Sequence, residues 1–401
     1  MGKIIRIVSA SLLAASTGTV GYNWSDWIAP LIEPEYVLSD SVQRVQLVPR
    51  EDGLRGRVVS WVSGSDRSGD ILRLYGGDSL LFRIGALHHE IKTHGGVTHV
   101  QSVTIPSLEA GRYPYTITSG DGVEAYRDTL VIPSDTLQTF VLIGDVQDTW
   151  GDDTRPLMDS LYRAHPDAAA WIQVGDLIER PHDQYWRRYY DAFASVAPRI
   201  PMITVIGDHE NEAGLMYDVD DRWEYVLDYP DNGPEERVGH AYYIDYPDMR
   251  VVCYDSNSLF WSIGSQRPWL ERVLMERKDQ PFLVVCAHHP VYSGTKNRFN
   301  LLNNSLLGPL FRRCGVDLVL AGHDHIFAHD RDPDGDGPHY IGLSTAHKTY
   351  SVQEPERHVA SESGARYYGI MLVTSDELRV RVYREGAVLL DSLCVSRKSH
   401  P

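Results

Sequence analysis

The chain has 401 residues, too many for one typical core, and an ordinary globular composition of 42% apolar and 23% charged residues. Its formal net charge is −17. That excludes a basic nucleic-acid-binding face and docking on anionic lipid, but not an anionic substrate, because bound cations can reverse the sign locally.

The first residues, MGKIIRIVSASLLAASTGTVGYNW, place Lys3 and Arg6 before a short apolar run and then small residues. This pattern predicts a secretory signal peptide over residues 1–22, with a secreted or periplasmic mature protein and no stable membrane insertion after cleavage. Residues 23–135 have strand-and-turn texture: RGRVVSWVSGS, DILRLYGGD, THVQSVTIPSL, GRYPYTITSGDG and EAYRDTLVIPS are short β-rich runs divided by Gly, Ser, Asp and Pro. They predict a β-sandwich that ends in the linker VIPSDTL. Within it, HHEIKTHGGVTH holds His88, His89, His94 and His99 without ligand spacing and is expected to form a hairpin with exposed imidazoles.

From residue 136 to 398 apolar strands alternate with amphipathic helices, the pattern of a layered α/β fold with a largely buried sheet. The strands read TFVLIGD, AAWIQVGD, PMITVIGD, RVVCYDS, FLVVCAHH and VDLVLAGHDH; the helices read RPLMDSLYRAH, DQYWRRYYDAFASVA, RPWLERVLMERK and LLNNSLLGPLFRRC. Hairpins around YYGIMLVTSD, LRVRVYREG and AVLLDSLCV are expected to close the sheet. Cysteines in VVCYD, LVVCAHH and SLCV read as small buried hydrophobes, and no C-x-x-C zinc spacing occurs. The acidic DRDPDGDG lacks the bidentate Glu of an EF-hand and reads as an acidic turn.

Five strands end in residues able to bind metal: Asp145, Asp176, Asp208, His288, and the pair His323 and His325. Ligands of open α/β sheets collect at the carboxyl ends of strands, where such residues can converge. Carboxylates offer hard, charge-neutralising oxygens and imidazoles favour Zn²⁺, Fe or Mn²⁺ over Ca²⁺ and Mg²⁺. Two such ions roughly 3.5–4 Å apart generate a nucleophile and clamp a phosphoryl group. Glycine before each Asp and before His323 allows a tight turn at the strand end. His289, next after His288, is expected on the opposite face as a supporting or packing residue. Arg298, Asn297 and His347 are candidate substrate-rim residues.

GDVQD, GDLIE, GDHE, AHHPVYS and GHDH, in that order, resemble the five blocks of the calcineurin-like metallophosphoesterases. With the β-rich residues 23–135 ahead of them, the resemblance is to purple acid phosphatases. It implies a four-layer α/β/β/α metallophosphatase sandwich preceded by an all-β fibronectin-III-like sandwich. It implies a binuclear centre of Fe, Zn or Mn, with Asp145 and His325 on metal 1, Asp176 bridging, and Asp208, His288 and His323 on metal 2. A metal-bridging hydroxide would attack a small phosphorylated substrate, with His209 aiding the leaving group. The expected activity is an acid-phosphatase-like phosphomonoesterase. The alternatives are a phosphodiesterase on the same core and a degenerate, non-catalytic metal- or phosphate-binding protein.

Three positions depart from the family pattern. Glu179 replaces the Tyr whose charge transfer to Fe(III) colours purple acid phosphatases, Gln147 replaces the His of D-x-H, and Asp208 replaces an Asn. At metal 1, coordination by the Gln147 amide oxygen, a reaching Glu179, or a weaker site are all open, and a divalent ion is expected there. Asp208 adds negative charge and is expected to hold a divalent metal 2 more firmly.

Overall fold

Alternation shapes the first part of the chain. The computed structural model describes residues 32–147, 154–211, 218–276, 280–295, 298, 300–333, 335 and 337–397; the expected signal peptide and Asn297 lie outside them. The strands β1 (Gln43–Pro49), β2 (Arg57–Ser63), β3 (Ile71–Gly76), β4 (Ser79–Gly85), β5 (Leu87–Lys92), β6 (Val97–Ile105), β7 (Gly111–Thr118) and β8 (Glu124–Ile132) form two four-stranded sheets, ordered β1-β2-β6-β5 and β4-β3-β7-β8. The sheets enclose Val59, Trp61, Leu72, Leu74, Val103, Tyr115 and Ile117. Leu72 and Leu74 of β3 point inward by period two. Strand β2 is buried on both faces, because Val58 and Val62 join a second core that includes Trp223 and Tyr229. That double burial is why RVVSWVS reads as nearly continuous apolar sequence. The histidine-rich segment forms the hairpin β5–β6, in which His88 Nε2 lies 3.0 Å from His99 Nδ1.

The second part opens with β9 (Gln138–Ile143), α1 (Thr154–Ala164), β10 (Ala170–Gln173), α2 (Asp183–Ala192), β11 (Met202–Thr204) and α3 (Asp221–Val226). It continues with β12 (Tyr242–Asp245), β13 (Met249–Cys253), α4 (Leu259–Met275), β14 (Phe282–Cys286), α5 (Gly308–Arg313), β15 (Leu318–Ala321), β16 (Phe327–Arg331), β17 (His339–Gly342) and β18 (Ala360–Glu362). It ends with β19 (Tyr367–Val373), β20 (Glu377–Arg384) and β21 (Val388–Ser396). One sheet runs β11-β10-β9-β19-β20-β21 and the other β12-β13-β14-β15-β17-β16-β18.

The side-chain period sorts the layers. Val251, Cys253, Val284, Cys286, Leu318 and Leu320 share a core with Phe140, Leu142 and Met371 of the other sheet. Their neighbours Val252, Leu283, Val285 and Val319 pack instead against Trp269 and Leu270 of α4 and Leu310 and Phe311 of α5. Helices α1 and α2 cover the first sheet through Met158, Leu161, Trp186 and Tyr189. The result is the α/β/β/α order, with an all-β sandwich ahead of it. Pairs β9–β10, β10–β11, β13–β14 and β14–β15 are parallel, so in each sheet the carboxyl ends of these strands lie along one edge.

Two expectations need correction. Helix α4 begins at Leu259, well before RPWLERVLMERK, because the Asp255 carboxylate accepts the N–H groups of Asn257 and Ser258 at 3.0 and 3.2 Å and starts the turn early. Cys394 is exposed rather than buried, since β21 is an edge strand with an outward face; Cys253, Cys286 and Cys314 are buried, and all four thiols are free. The acidic turn anchors Asp332 through Arg312 Nη2 at 3.1 Å.

Candidate metal centre

Each strand end turns sharply to present its functional side chain. Asp145, Asp176, His323 and His325 adopt positive φ of 46°, 53°, 68° and 50°. The left-handed region costs a non-glycine residue about 1 kcal/mol or more, and such outliers collect at functional sites. Glycine is required where two of these turns touch: a Cβ on Gly207 would lie 2.2 Å from Asp176 N and Oδ1, and one on Gly175 would lie 2.6 Å from His288 Nδ1.

The ligand-capable atoms form two adjoining clusters. Asp145, Asp176 and His325 offer atoms all within 4.8 Å of one another, and so do Asp208, His289 and His323. His288 joins them: its Nε2 lies 3.4 Å from Asp176 Oδ1, 3.9 Å from Asp208 Oδ1 and 3.2 Å from His323 Nδ1. Carbonyl oxygens can only accept, so the ring nitrogens facing them must be protonated. His288 Nδ1 donates to Val174 O at 2.9 Å, and His325 Nδ1 donates to Lys348 O at 3.1 Å. Each leaves Nε2 with its lone pair, the arrangement that orients metal-ligating imidazoles.

The donor set fits a pair of cations. Asp145 is fully buried; its Oδ1 accepts His323 N–H at 2.9 Å, whereas its Oδ2 has no hydrogen-bond partner among the described residues. A buried carboxylate oxygen without a donor is costly unless a cation meets it. Burial and then the charge of Asp176 push the Asp145 carboxyl well above its ordinary range. Burial also works to raise Asp208, but hydrogen bonds from His289 and His323 overcome it and hold that carboxyl well below its usual range. Burial lowers His323 to about 4 against the pull of Asp208, and with help from Lys348 lowers His325 to about 3. Both rings are therefore neutral donors near pH 7.

His209 stands beside this centre with Nδ1 donating to Glu179 O at 2.6 Å and Nε2 3.9 Å from Asp176 Oδ2. Gln147 Nε2 donates to His209 Nε2 at 3.0 Å and to Glu179 Oε2 at 3.1 Å, while Gln147 Oε1 is buried without a partner among the described residues. Glu179 thus turns onto the Gln147 amide and belongs to neither cluster. Arg298 donates to His323 O and lies 4.9 Å over the Tyr350 ring; His347 is exposed.

Two residues gain roles that the sequence did not indicate. His289 does not point away: its Nε2 lies 3.2 Å from Asp208 Oδ1. Strand β14 ends at Cys286, so alternation no longer governs the chain two residues later. Glu210 accepts the N–H groups of Asp176, Leu177, Ile178 and Gly207 at 3.0, 2.7, 3.2 and 2.6 Å, locking two ligand-bearing turns together. Its spacing from Gly207 is that of a capping box, the one sequence signal that could have revealed it.

Acidic and imidazole ligands gathered at the strand ends of an α/β/β/α sandwich define a metallophosphoesterase-type hydrolase. The calcineurin-like phosphoesterase family profile matches residues 138–327. Purple acid phosphatase 18 of Arabidopsis thaliana is 24% identical over 324 residues, 74% of this chain and 67% of the relative. Purple acid phosphatase 21 of the same plant is 26% identical over 220 residues, 51% and 48% of the two chains. An uncharacterised protein of Mycobacterium tuberculosis is 31% identical over 161 residues, 35% of this chain and 30% of that one. The chain thus spans about two thirds of the first relative and half or less of the others. The solved purple acid phosphatase from yellow lupin (Lupinus luteus) seeds superposes with a TM-score of 0.76 at 15% identity, covering 90% of this chain and 75% of that one. The shared fold therefore extends through both the β-sandwich and the α/β part.

Proposed function

We propose that the protein is a two-metal phosphomonoesterase, carried by one observation: two ligand clusters adjoin through His288 and Asp176, with His209 alongside. Asp145, His325 and the Gln147 amide oxygen would hold one cation, Asp208, His288 and His323 the other, and Asp176 would be shared. When bound, such ions supply Lewis acidity for the attacking water and positive charge for the transferring phosphoryl group.

The chain's own residues do the rest. Hydrolysis forms a bond from water oxygen to phosphorus and breaks the phosphorus–ester oxygen bond, and the departing alkoxide needs a proton. His209 is placed to give it from its doubly protonated ring: Glu179 O holds Nδ1–H, so the proton that passes to the ester oxygen is one taken up at Nε2, and the attacking water releases one in its turn. Gln147 holds that Nε2 in the free protein and must release it when substrate enters. On this reading Arg298, which donates to His323 O, contacts the rest of the substrate, and the exposed His347 is a further candidate for that contact. On this reading residues 23–135 are the supporting β-sandwich, residues 136–398 the catalytic domain, and residues 1–22 a leader for export.

The test compares rates on p-nitrophenyl phosphate and bis-p-nitrophenyl phosphate with metal-replete protein. The monoester is expected to turn over faster, and His209→Ala is expected to lower kcat by roughly 10²–10⁴-fold at unchanged metal content. Faster turnover of the diester would make the protein a phosphodiesterase, and no turnover of either would make it a binding protein.

A further inference from the structure

Three imidazoles converge on Asp208. His288 Nε2 and His289 Nε2 lie 3.9 and 3.2 Å from its Oδ1, and His323 Nδ1 lies 3.2 Å from its Oδ2. The His289 ring centroid is 4.2 Å from that of His323 and 5.3 Å from that of His288. The His289 ring is also held as its neighbours are. Its Nδ1 lies 3.0 Å from Ser256 Oγ, a hydroxyl that accepts from Nδ1–H when Nε2 carries the lone pair; the outer partners of His288 and His325 at Nδ1 are the carbonyls of Val174 and Lys348. Ser256 Oγ accepts the backbone N–H of His289 as well, at 3.0 Å, so the residue is gripped at two points. An imidazole fixed at Nδ1 by an outer partner and aimed by Nε2 at carboxylates is the usual posture of a metal ligand.

We propose that His289 is a third imidazole ligand of the cation on the Asp208 side, a claim that rests on the two-cation reading above. The donor set there becomes Asp176 and Asp208 with His288, His289 and His323. Asp208 and a shared Asp176 offset most of a divalent charge, and three neutral nitrogens favour Zn²⁺ or Fe²⁺ over Mg²⁺, which prefers oxygen and retained water. The carboxylate at Asp208 and the imidazole at His289 then act together, and the site keeps a divalent ion where Mg²⁺ is abundant.

His289 could instead serve only as an N–H donor to Asp208, and a glutamine separates the two roles because its amide donates but brings no imidazole. Chelator-treated wild type, His289→Ala and His289→Gln are titrated with Zn²⁺ against a chromogenic chelator, and zinc-edge X-ray absorption counts imidazoles on the loaded proteins. Wild type is expected to bind two ions with four imidazoles per protein, those of His288, His289, His323 and His325. Both variants are expected to bind one of the two ions at least about tenfold more weakly, with three imidazoles. Full affinity in His289→Gln, or three imidazoles in wild type, would overturn the role of His289 while leaving the two-cation reading intact. A wild type that binds fewer than two ions would overturn both. The wild-type count decides the matter even if the alanine variant fails to fold.

Discussion

Four backbone N–H groups, from Asp176, Leu177, Ile178 and Gly207, end on the fully buried carboxylate of Glu210. Burial and Asp176 push that carboxyl up, and these donors oppose them. Removing the side chain strands four buried donors. Glu210→Ala is therefore expected to cost about 3 kcal/mol or more in denaturant unfolding and to weaken metal retention, while Glu210→Gln is expected to be milder. Equal stability of wild type and alanine variant would show that the two turns are held by other means. The convergence of the strand-end residues was legible: glycine followed by Asp or His at a strand end marks a turn, and the fold brings Asp145, Asp176, Asp208, His288, His323 and His325 together. Glu210 and His289 were not legible. A buried carboxylate's backbone partners and a side chain's direction beyond a strand end depend on tertiary contacts that no local pattern encodes.

At the scale of elements, the two sheets of the α/β part are tied at their margins by a chain of rings. His339 Nδ1 on β17 lies 2.8 Å from His329 Nε2 on β16, and His329 Nδ1 lies 2.7 Å from Asp391 Oδ2 on β21. Burial and then the neighbouring His329 lower His339 to about 4, so its neutral form is favoured in the folded state. A histidine with a depressed folded value contributes stability that is full above about 6.5 and is lost as pH falls towards 4. Asp391, held low by its hydrogen bond from His329, loses its contribution only at still more acid pH. Thermal midpoints are expected to fall between pH 6.5 and 4, and His339→Gln is expected to flatten that slope; an unchanged slope would remove His339 as the cause. Strands were read well from sequence because burial on one or both faces leaves a direct pattern, as in β3 and β2. The start of α4 was not, because Asp255 begins it through backbone contacts ahead of the apolar stripe.

Across the whole molecule, a buried charge network binds the segment before β1 to the α/β part. Arg222 Nη1 meets Glu33 Oε1 at 2.6 Å and Arg222 Nε meets Asp220 Oδ1 at 2.9 Å, while Arg44 pairs with Asp183 at 2.7 Å. Asp183 N–H also donates to Glu33 Oε1, and Trp186 Nε1 donates to Asp220. Arg222→Leu would leave Glu33 and Asp220 buried without their cation, and is expected to cost about 3–5 kcal/mol in urea unfolding. A loss within about 1 kcal/mol would mean that the contact is not structural. The sandwich adds backbone bonds across the same boundary, Leu47 N–H to Ala197 O at 2.9 Å and Val131 N–H to Arg199 O at 3.2 Å, and Ser60 Oγ donates to Val226 O at 2.6 Å. The β-sandwich thus buttresses α2, α3 and the approach to β11, the strand that leads to Asp208. What those elements are built to hold is decided most directly by titrating chelator-treated protein with Zn²⁺ while following hydrolysis of p-nitrophenyl phosphate. Activity is expected to be absent without metal and to saturate at two equivalents; activity that needs no metal, or that never appears at full loading, would contradict the two-metal phosphatase account.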